Sequence, residues 1–143
     1  MQEVIAFNSE HTEAALKYGQ DVLEWSEQTS GTLTEQEYVA SKQRNKQLAG
    51  EQGIDYVMDK HQLDGLLFLG CEGGADLAAR AGYPSITVPG GFAAQGVTAP
   101  GGYTTKGPQG ITFVGKAFSE PKLLKLAYSF EQATKHRFPP ALD

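Results

Sequence analysis

Hydrophobic and polar positions change rhythm near residue 60 of this chain. Before it, apolar residues are sparse and fall at helical spacing among charges. Ser9 is placed to cap a helix with Glu10 and Glu13 in its first turn and Gly19 as its stop. A second helix is expected over residues 21–28, burying Val22 and Trp25. Leu33-Thr34-Glu35-Gln36-Glu37-Tyr38 reads as a capping box: Thr34 and Glu37 are the reciprocal pair, and Leu33 and Tyr38 stand at the staple positions. That box predicts a helix from Glu35 towards Lys60, weakened late by Gly50 and Gly53. Its middle, residues 41–47, is wholly polar and belongs on a surface.

After residue 60 the pattern becomes short solid apolar runs punctuated by glycine and proline. Leu66-Leu67-Phe68-Leu69 suits a strand buried on both faces. The loop Gly70-Cys71-Glu72-Gly73-Gly74 follows, then a short helix over residues 75–81 stopped by Gly82. Ser85-Ile86-Thr87-Val88 and Ile111-Thr112-Phe113-Val114 are two further strands, and residues 90–110 are expected to be a long Gly/Pro loop. Ser119 starts a last helix with Pro121 in its first turn. Leu123, Leu124, Ala127, Phe130 and Ala133 are its expected buried stripe, and Pro139-Pro140 its stop. The predicted class is α/β: a partial mixed sheet of about three strands with flanking helices, in one domain over residues 1–143. Residues 1–60 form its helical part and residues 61–143 its strand, loop and helix part.

Composition narrows the function classes. Residues 1–60 hold 11 acids, 5 bases and no proline; residues 61–143 hold 13 glycines and all 7 prolines. A net charge of -5 speaks against a nucleic-acid partner. The single cysteine, Cys71, excludes an internal disulfide, and no Cys/His cluster is spaced for a metal. The N-terminus has an acid where an export signal carries bases. The longest uncharged stretch, residues 81–105, contains Pro84, Pro89 and Pro100 and cannot cross a membrane as one helix. A soluble, cytoplasmic protein without metal or cofactor is expected.

Several separated motifs resemble one known family. They are Leu63-Asp64-Gly65-Leu66-Leu67, the run from Ala78-Ala79-Arg80 through Gly82-Tyr83-Pro84-Ser85-Ile86-Thr87-Val88-Pro89-Gly90-Gly91-Phe92, and Pro108-Gln109-Gly110-Ile111-Thr112-Phe113-Val114-Gly115. The closing run from Phe118-Ser119-Glu120 to Thr134 and the opening Ile5-Ala6-Phe7-Asn8 fit as well. In this order they resemble the C-terminal part of amidase-signature hydrolases. The resemblance implies a large mixed sheet covered by helices, and carboxamide hydrolysis through an acyl-enzyme. A serine attacks the carbonyl, while a second serine relays the proton to a lysine base. The Gly/Ser-rich stretch that carries those serines has no counterpart here. No Ser-Ser dipeptide occurs in the chain, and the family's lysine lies further upstream still. The chain therefore looks like the tail of an amidase without its active site, expected to be inactive alone. An authentic short binding or complementing subunit is the alternative.

Candidate site residues follow. No catalytic residue is assigned. Gly70, Cys71, Glu72, Gly90, Gly91 and Phe92, after the first two strands, are the expected walls of the substrate pocket. Gly90 departs from the family's usual Pro-Ala-Gly and is expected to loosen the loop. Cys71 sits between a strand and a helix, where a thiol can be activated, with His11, His61 and His136 as conceivable bases; a packed, inert cysteine is the simpler reading. Residues 101–107 contain glycines, threonines and Lys106 but lack phosphate-loop spacing. The basic Lys135-His136-Arg137 complements the end of the last helix. Three strands taken from a larger sheet leave open edges, so the expected partners are a second copy or the missing N-terminal amidase segment.

Overall fold

The structure, a computed structural model, describes residues 1–70, 72–98 and 104–139. The chain divides into two compact units, Met1–Val39 and Ala40–Asp143. In the first, α1 (Gln2–Glu10), α2 (Thr12–Ala15) and α3 (Asp21–Glu27) are short helices. Helix α1 starts before Ser9, whose hydroxyl donates back to the Ile5 carbonyl (2.9 Å) rather than capping a helix. Asn8 Nδ2 donates to Gln20 Oε1 (3.2 Å), and the Phe7 and His11 rings stack 4.2 Å apart. No residue of this unit is buried, and Trp25, expected inside, is 66% exposed with Val22 beside it at 70%. Helices of 9, 4 and 7 residues cannot enclose a core among themselves.

The box before the next helix is rearranged. Thr34 Oγ1 lies 2.9 Å from Thr32 Oγ1, and the Glu35 carboxylate accepts from Ser30 and Thr32. Leu33 takes a left-handed φ of 59° and stands exposed, so it makes no staple. Hydroxyls gathered on Glu35 turn the chain, and α4 (Gln36–Lys46) begins one residue later than expected. The helix then widens into a π-helical segment, Gln47–Asp55, before α5 (Tyr56–His61). Both weakening glycines, Gly50 and Gly53, fall in the wide turns.

The second unit is built on a three-stranded antiparallel sheet in the order β1 (Leu66–Leu69), β3 (Thr104–Val114), β2 (Ser85–Thr98). Because β3 runs against both neighbours, β1 and β2 point the same way, and β2 runs on past the end of β1. Most of the expected loop over residues 90–110 is strand. The β2–β3 pairing continues to Thr98↔Thr104, with irregular register between Pro89/Gly91 and Ala93/Val97. Proline is tolerated there because β2 is an edge strand, and β3 at Pro108 has passed the end of β1.

Side chains alternate across this sheet. Val114, with Leu66 and Phe68 at its border, faces Ala49, Ile54 and Met58 of the π segment and α5. Ala78 and Ala81 of α6 (Gly74–Ala81) complete that layer. Gly74 lets α6 approach so closely because a Cβ there would stand 2.6 Å from the Phe68 ring. On the other face α7 (Glu120–Thr134) lays Leu123 and Ala127, flanked by Leu126 and Phe130, over Val88, Phe113, Ile86 and Ile111. Pro121 occupies its first turn as expected, while the Ser119 hydroxyl donates to the Lys116 carbonyl (2.7 Å) instead of the helix. Leu124 and Ala133 turn outward. Since α7 rests on β2 and β3, the outer face of β1 is uncovered: Leu67 is 53% and Leu69 52% exposed. The first strand is thus covered on one face, not two.

Candidate functional site

Where β1 ends, the β2–β3 hairpin rises beside it, and a cavity of about 380 Å³ opens between them. Leu69, Val97 and Ile111 make it apolar, and Thr98, Thr105 and Gln109 supply its polar groups. Thr105 Oγ1 donates to Gln109 Oε1 (2.8 Å), and Gln109 Nε2 donates to the Gly107 carbonyl (3.2 Å). The amide is therefore held in one orientation against the hairpin. Gly70, Glu72 and Gly90 complete the wall. Glu72 is fixed by the strand end: its carboxylate accepts from the Leu69 N–H (2.9 Å), and its own N–H donates to the Leu69 carbonyl (3.0 Å). Gly90 is tight rather than loose. An added Cβ would lie 2.7 Å from Ile111 Cγ1, so the backbone passes directly over that side chain.

Of the six residues expected at a pocket, Gly70, Glu72 and Gly90 share this cavity. Gly91 lines a different one, of about 380 Å³, formed with His136, Arg137 and Phe138 after α7. A Cβ on Gly91 would stand 3.2 Å from His136 Nδ1, and that ring stacks on Phe130 at 6.3 Å. Phe92 lines neither cavity and is 70% exposed. Cys71 and residues 101–103 lie outside the described residues. Among the conceivable bases, the His11 ring lies in the first unit against the Phe7 carbonyl (2.8 Å), and His61 ends α5. Val97, Thr98, Thr105 and Gln109 were not anticipated, because the hairpin register alone carries them to the cavity.

A third hollow, of about 410 Å³, lies where α5 meets the start of α7. Lys116 pairs with Asp59, and Lys122 with Asp64 at 2.7 Å. The hydrogen bond and charge of Lys122 hold the Asp64 carboxyl below its ordinary range. Deeper in the fold, Tyr83 donates to Asp55 Oδ2 at 2.6 Å, tying the chain after α6 to the π segment. That bond, with burial and the negative charge nearby, pushes the phenol up to about 12. Among the described residues no group of three His, Cys, Asp or Glu side chains could hold a metal, and no helix is long and apolar enough to cross a membrane. Among the described residues, no nucleophile–base pair lines the cavity beside β1, which can seat a ligand.

No family model matches the chain. A protein of Arabidopsis thaliana named "Probable amidase" is 39% identical over 142 residues, 98% of this chain and 25% of that protein. The solved peptide amidase of Stenotrophomonas maltophilia superposes with a TM-score of 0.78 at 36% identity, over 99% of this chain and 29% of that one. This chain is homologous to a portion of the amidases. An amidase family protein from Bacillus anthracis repeats the match, with a TM-score of 0.75 at 35% identity over 99% of this chain and 25% of its own. The chain thus spans between a quarter and a third of these three proteins. Its three-stranded sheet with flanking helices is an amidase fold region.

Proposed function

We propose that this chain builds one wall of the substrate pocket of a carboxamide hydrolase, whose nucleophile and base come from the remainder of an amidase. The observation that carries this reading is the convergence of Gly70, Glu72 and Gly90 with the hairpin residues Val97, Thr105 and Gln109 on one cavity. That cavity stands past the end of β1, against the extension of the β2–β3 hairpin, so that residues distant in the chain converge on it. Its apolar floor suits the hydrocarbon part of an amide, and the hydroxyl and amide rim suits the polar end. In the intact enzyme a serine would attack the carbonyl carbon, the C–N bond would break as the nitrogen takes a proton, and water would release the acid. The sequence has no Ser-Ser dipeptide to begin that step. By itself the chain is inactive, and its partner is the complementary amidase segment, in the same polypeptide or a separate one.

The test joins this chain to the complementary segment of a homologous amidase and fills the cavity by Val97→Trp. The expected result is a rise in KM of about tenfold or more for a small carboxamide, the loss of a good apolar subsite. Phe92→Ala, which lines neither cavity, leaves KM unchanged. An unaltered KM in the Val97 variant would show that the substrate binds elsewhere.

A further inference from the structure

From Ser85 to Val114 the chain holds a single charged residue, Lys106, and β1 holds none. Lys106 is exposed and takes no part in the wall of the cavity beside β1. Glu72 is therefore the one charge that the described residues bring to that wall. It is half-buried, and its carboxylate is set at the strand end by the Leu69 N–H, which donates to Oε2 (2.9 Å). A single amide leaves most of a carboxylate's accepting capacity unused, since the two oxygens offer about four sites. Among the described residues the ion pairs lie at Glu27, Asp59 and Asp64, and no lysine, arginine or histidine pairs with Glu72. The remaining polar side chains of the wall are neutral, and Thr105 and Gln109 are already engaged with each other (2.8 Å). A half-buried charge in so apolar and neutral a setting is poorly solvated and gains from a counter-charge.

We propose that Glu72 makes this pocket selective for carboxamides whose far end carries a positive charge. The proposal rests on the reading of the cavity as a substrate wall and adds the substrate class to it. An ammonium or guanidinium group in the cavity supplies the counter-charge that Glu72 lacks. The hydrocarbon between that group and the amide lies on Leu69, Val97 and Ile111. A methyl at the same place leaves the carboxylate without a partner, and a carboxylate there meets a like charge. The order of preference that Glu72 imposes is thus ammonium end, methyl end, carboxylate end. Charges contributed by the rest of an amidase act equally with and without the Glu72 carboxylate, so the change in preference when it is neutralised isolates its effect.

The test uses this chain joined to the complementary segment of a homologous amidase. Its substrates are straight-chain primary carboxamides of matched length, ended in a methyl, an ammonium or a carboxylate group, and kcat/KM is measured for each. Glu72→Gln keeps an oxygen for the Leu69 N–H and removes the charge. It is expected to lower the ammonium-to-methyl ratio of kcat/KM about fivefold and to raise the carboxylate-to-methyl ratio by a similar factor, the scale of a partly solvated ion pair. Ratios that Glu72→Gln leaves unchanged overturn the proposal. Val97→Trp separates this outcome from failure of the underlying reading. A KM raised by Val97→Trp, with ratios indifferent to Glu72→Gln, strikes the charge selectivity and keeps the pocket wall. A KM that Val97→Trp leaves unmoved overturns the wall and the selectivity together. Should the Glu72→Gln protein fail to assemble, the native joined enzyme decides. Its ammonium-to-methyl ratio must fall as ionic strength rises from about 0.01 M to about 1 M, and a ratio that stays flat overturns the proposal.

Discussion

Replacing Gly90 by alanine tests the tightest contact of the candidate pocket. The new Cβ would stand 2.7 Å from Ile111 Cγ1 and 3.2 Å from its Cδ1. Ile111 packs against the cluster of Val88, Phe113 and Leu123, so it cannot simply swing away. Overpacking of this kind costs about 1–3 kcal/mol. Against it stands a gain of about 0.4–1 kcal/mol, because alanine leaves the unfolded chain fewer conformations than glycine. Gly90 does not have a positive φ, so no backbone strain enters. The net expectation is a loss of about 1–2 kcal/mol in urea unfolding monitored by circular dichroism. Ile111→Ala removes both offending atoms. In that background Gly90→Ala becomes neutral or mildly stabilising, giving a coupling of about 1–2 kcal/mol between the two sites. Ile111→Val keeps a methyl at the crowded position and does not rescue. Additive effects of Gly90→Ala and Ile111→Ala, or a neutral Gly90→Ala in the native chain, would refute the packing argument.

Three further outcomes follow from named contacts. Tyr83, with its phenol raised to about 12, is expected to ionise later than an ordinary tyrosine in an ultraviolet titration. A raised pKa stabilises the fold fully below the ordinary value of 10.0, and this stabilisation drains away between there and about 12. Tyr83→Phe should cost about 1–2 kcal/mol at neutral pH and remove that loss, because a charge-assisted bond to Asp55 disappears. Gly74→Ala places a Cβ 2.6 Å from the Phe68 ring at the α6–β1 contact. It should lower stability by about 2–3 kcal/mol, measured in the same urea assay. Asp64, held below its ordinary range by Lys122, contributes above pH 3.8 and loses its contribution as pH falls beneath that value. Because the pair is exposed, Asp64→Asn should leave the urea midpoint at neutral pH nearly unmoved, and by NMR the Asp64 titration should move up towards its ordinary range once Lys122→Ala is made, with the charge of Lys125 still lowering it.

The parts of the fold legible in the sequence are those where packing demands solid apolar runs. Leu66–Leu69 begins and ends as expected, and the cores of β2 and β3, Ile86 to Val88 and Ile111 to Val114, stand out for the same reason. The rest of the hairpin was hidden by the glycines that its close contacts require. At Gly90 and Gly110 a Cβ would meet Ile111 or Thr87 within 3 Å, so the alternation that marks a strand is missing where the strands crowd most. In α7, apolar residues at 123, 124, 126 and 127 allow two stripes, and only the position of the sheet selects Leu126 over Leu124. Val22 and Trp25 failed as core because spacing reports amphipathicity, not what covers the apolar side. The candidate site divides similarly. Strand ends and glycines pointed to Gly70, Glu72 and Gly90, whereas Thr105 and Gln109 depend on a register that no local signal reveals.

The central claim is that this chain contributes a binding wall while the chemistry resides in the rest of an amidase. Ammonia release from a small carboxamide, measured for the chain alone, for a complementary amidase segment alone and for the two combined, tests it most directly. The account predicts no release above the uncatalysed rate from either part and hydrolysis only from the combination. Hydrolysis by this chain alone would contradict it, since the chemistry would then reside in the binding wall itself.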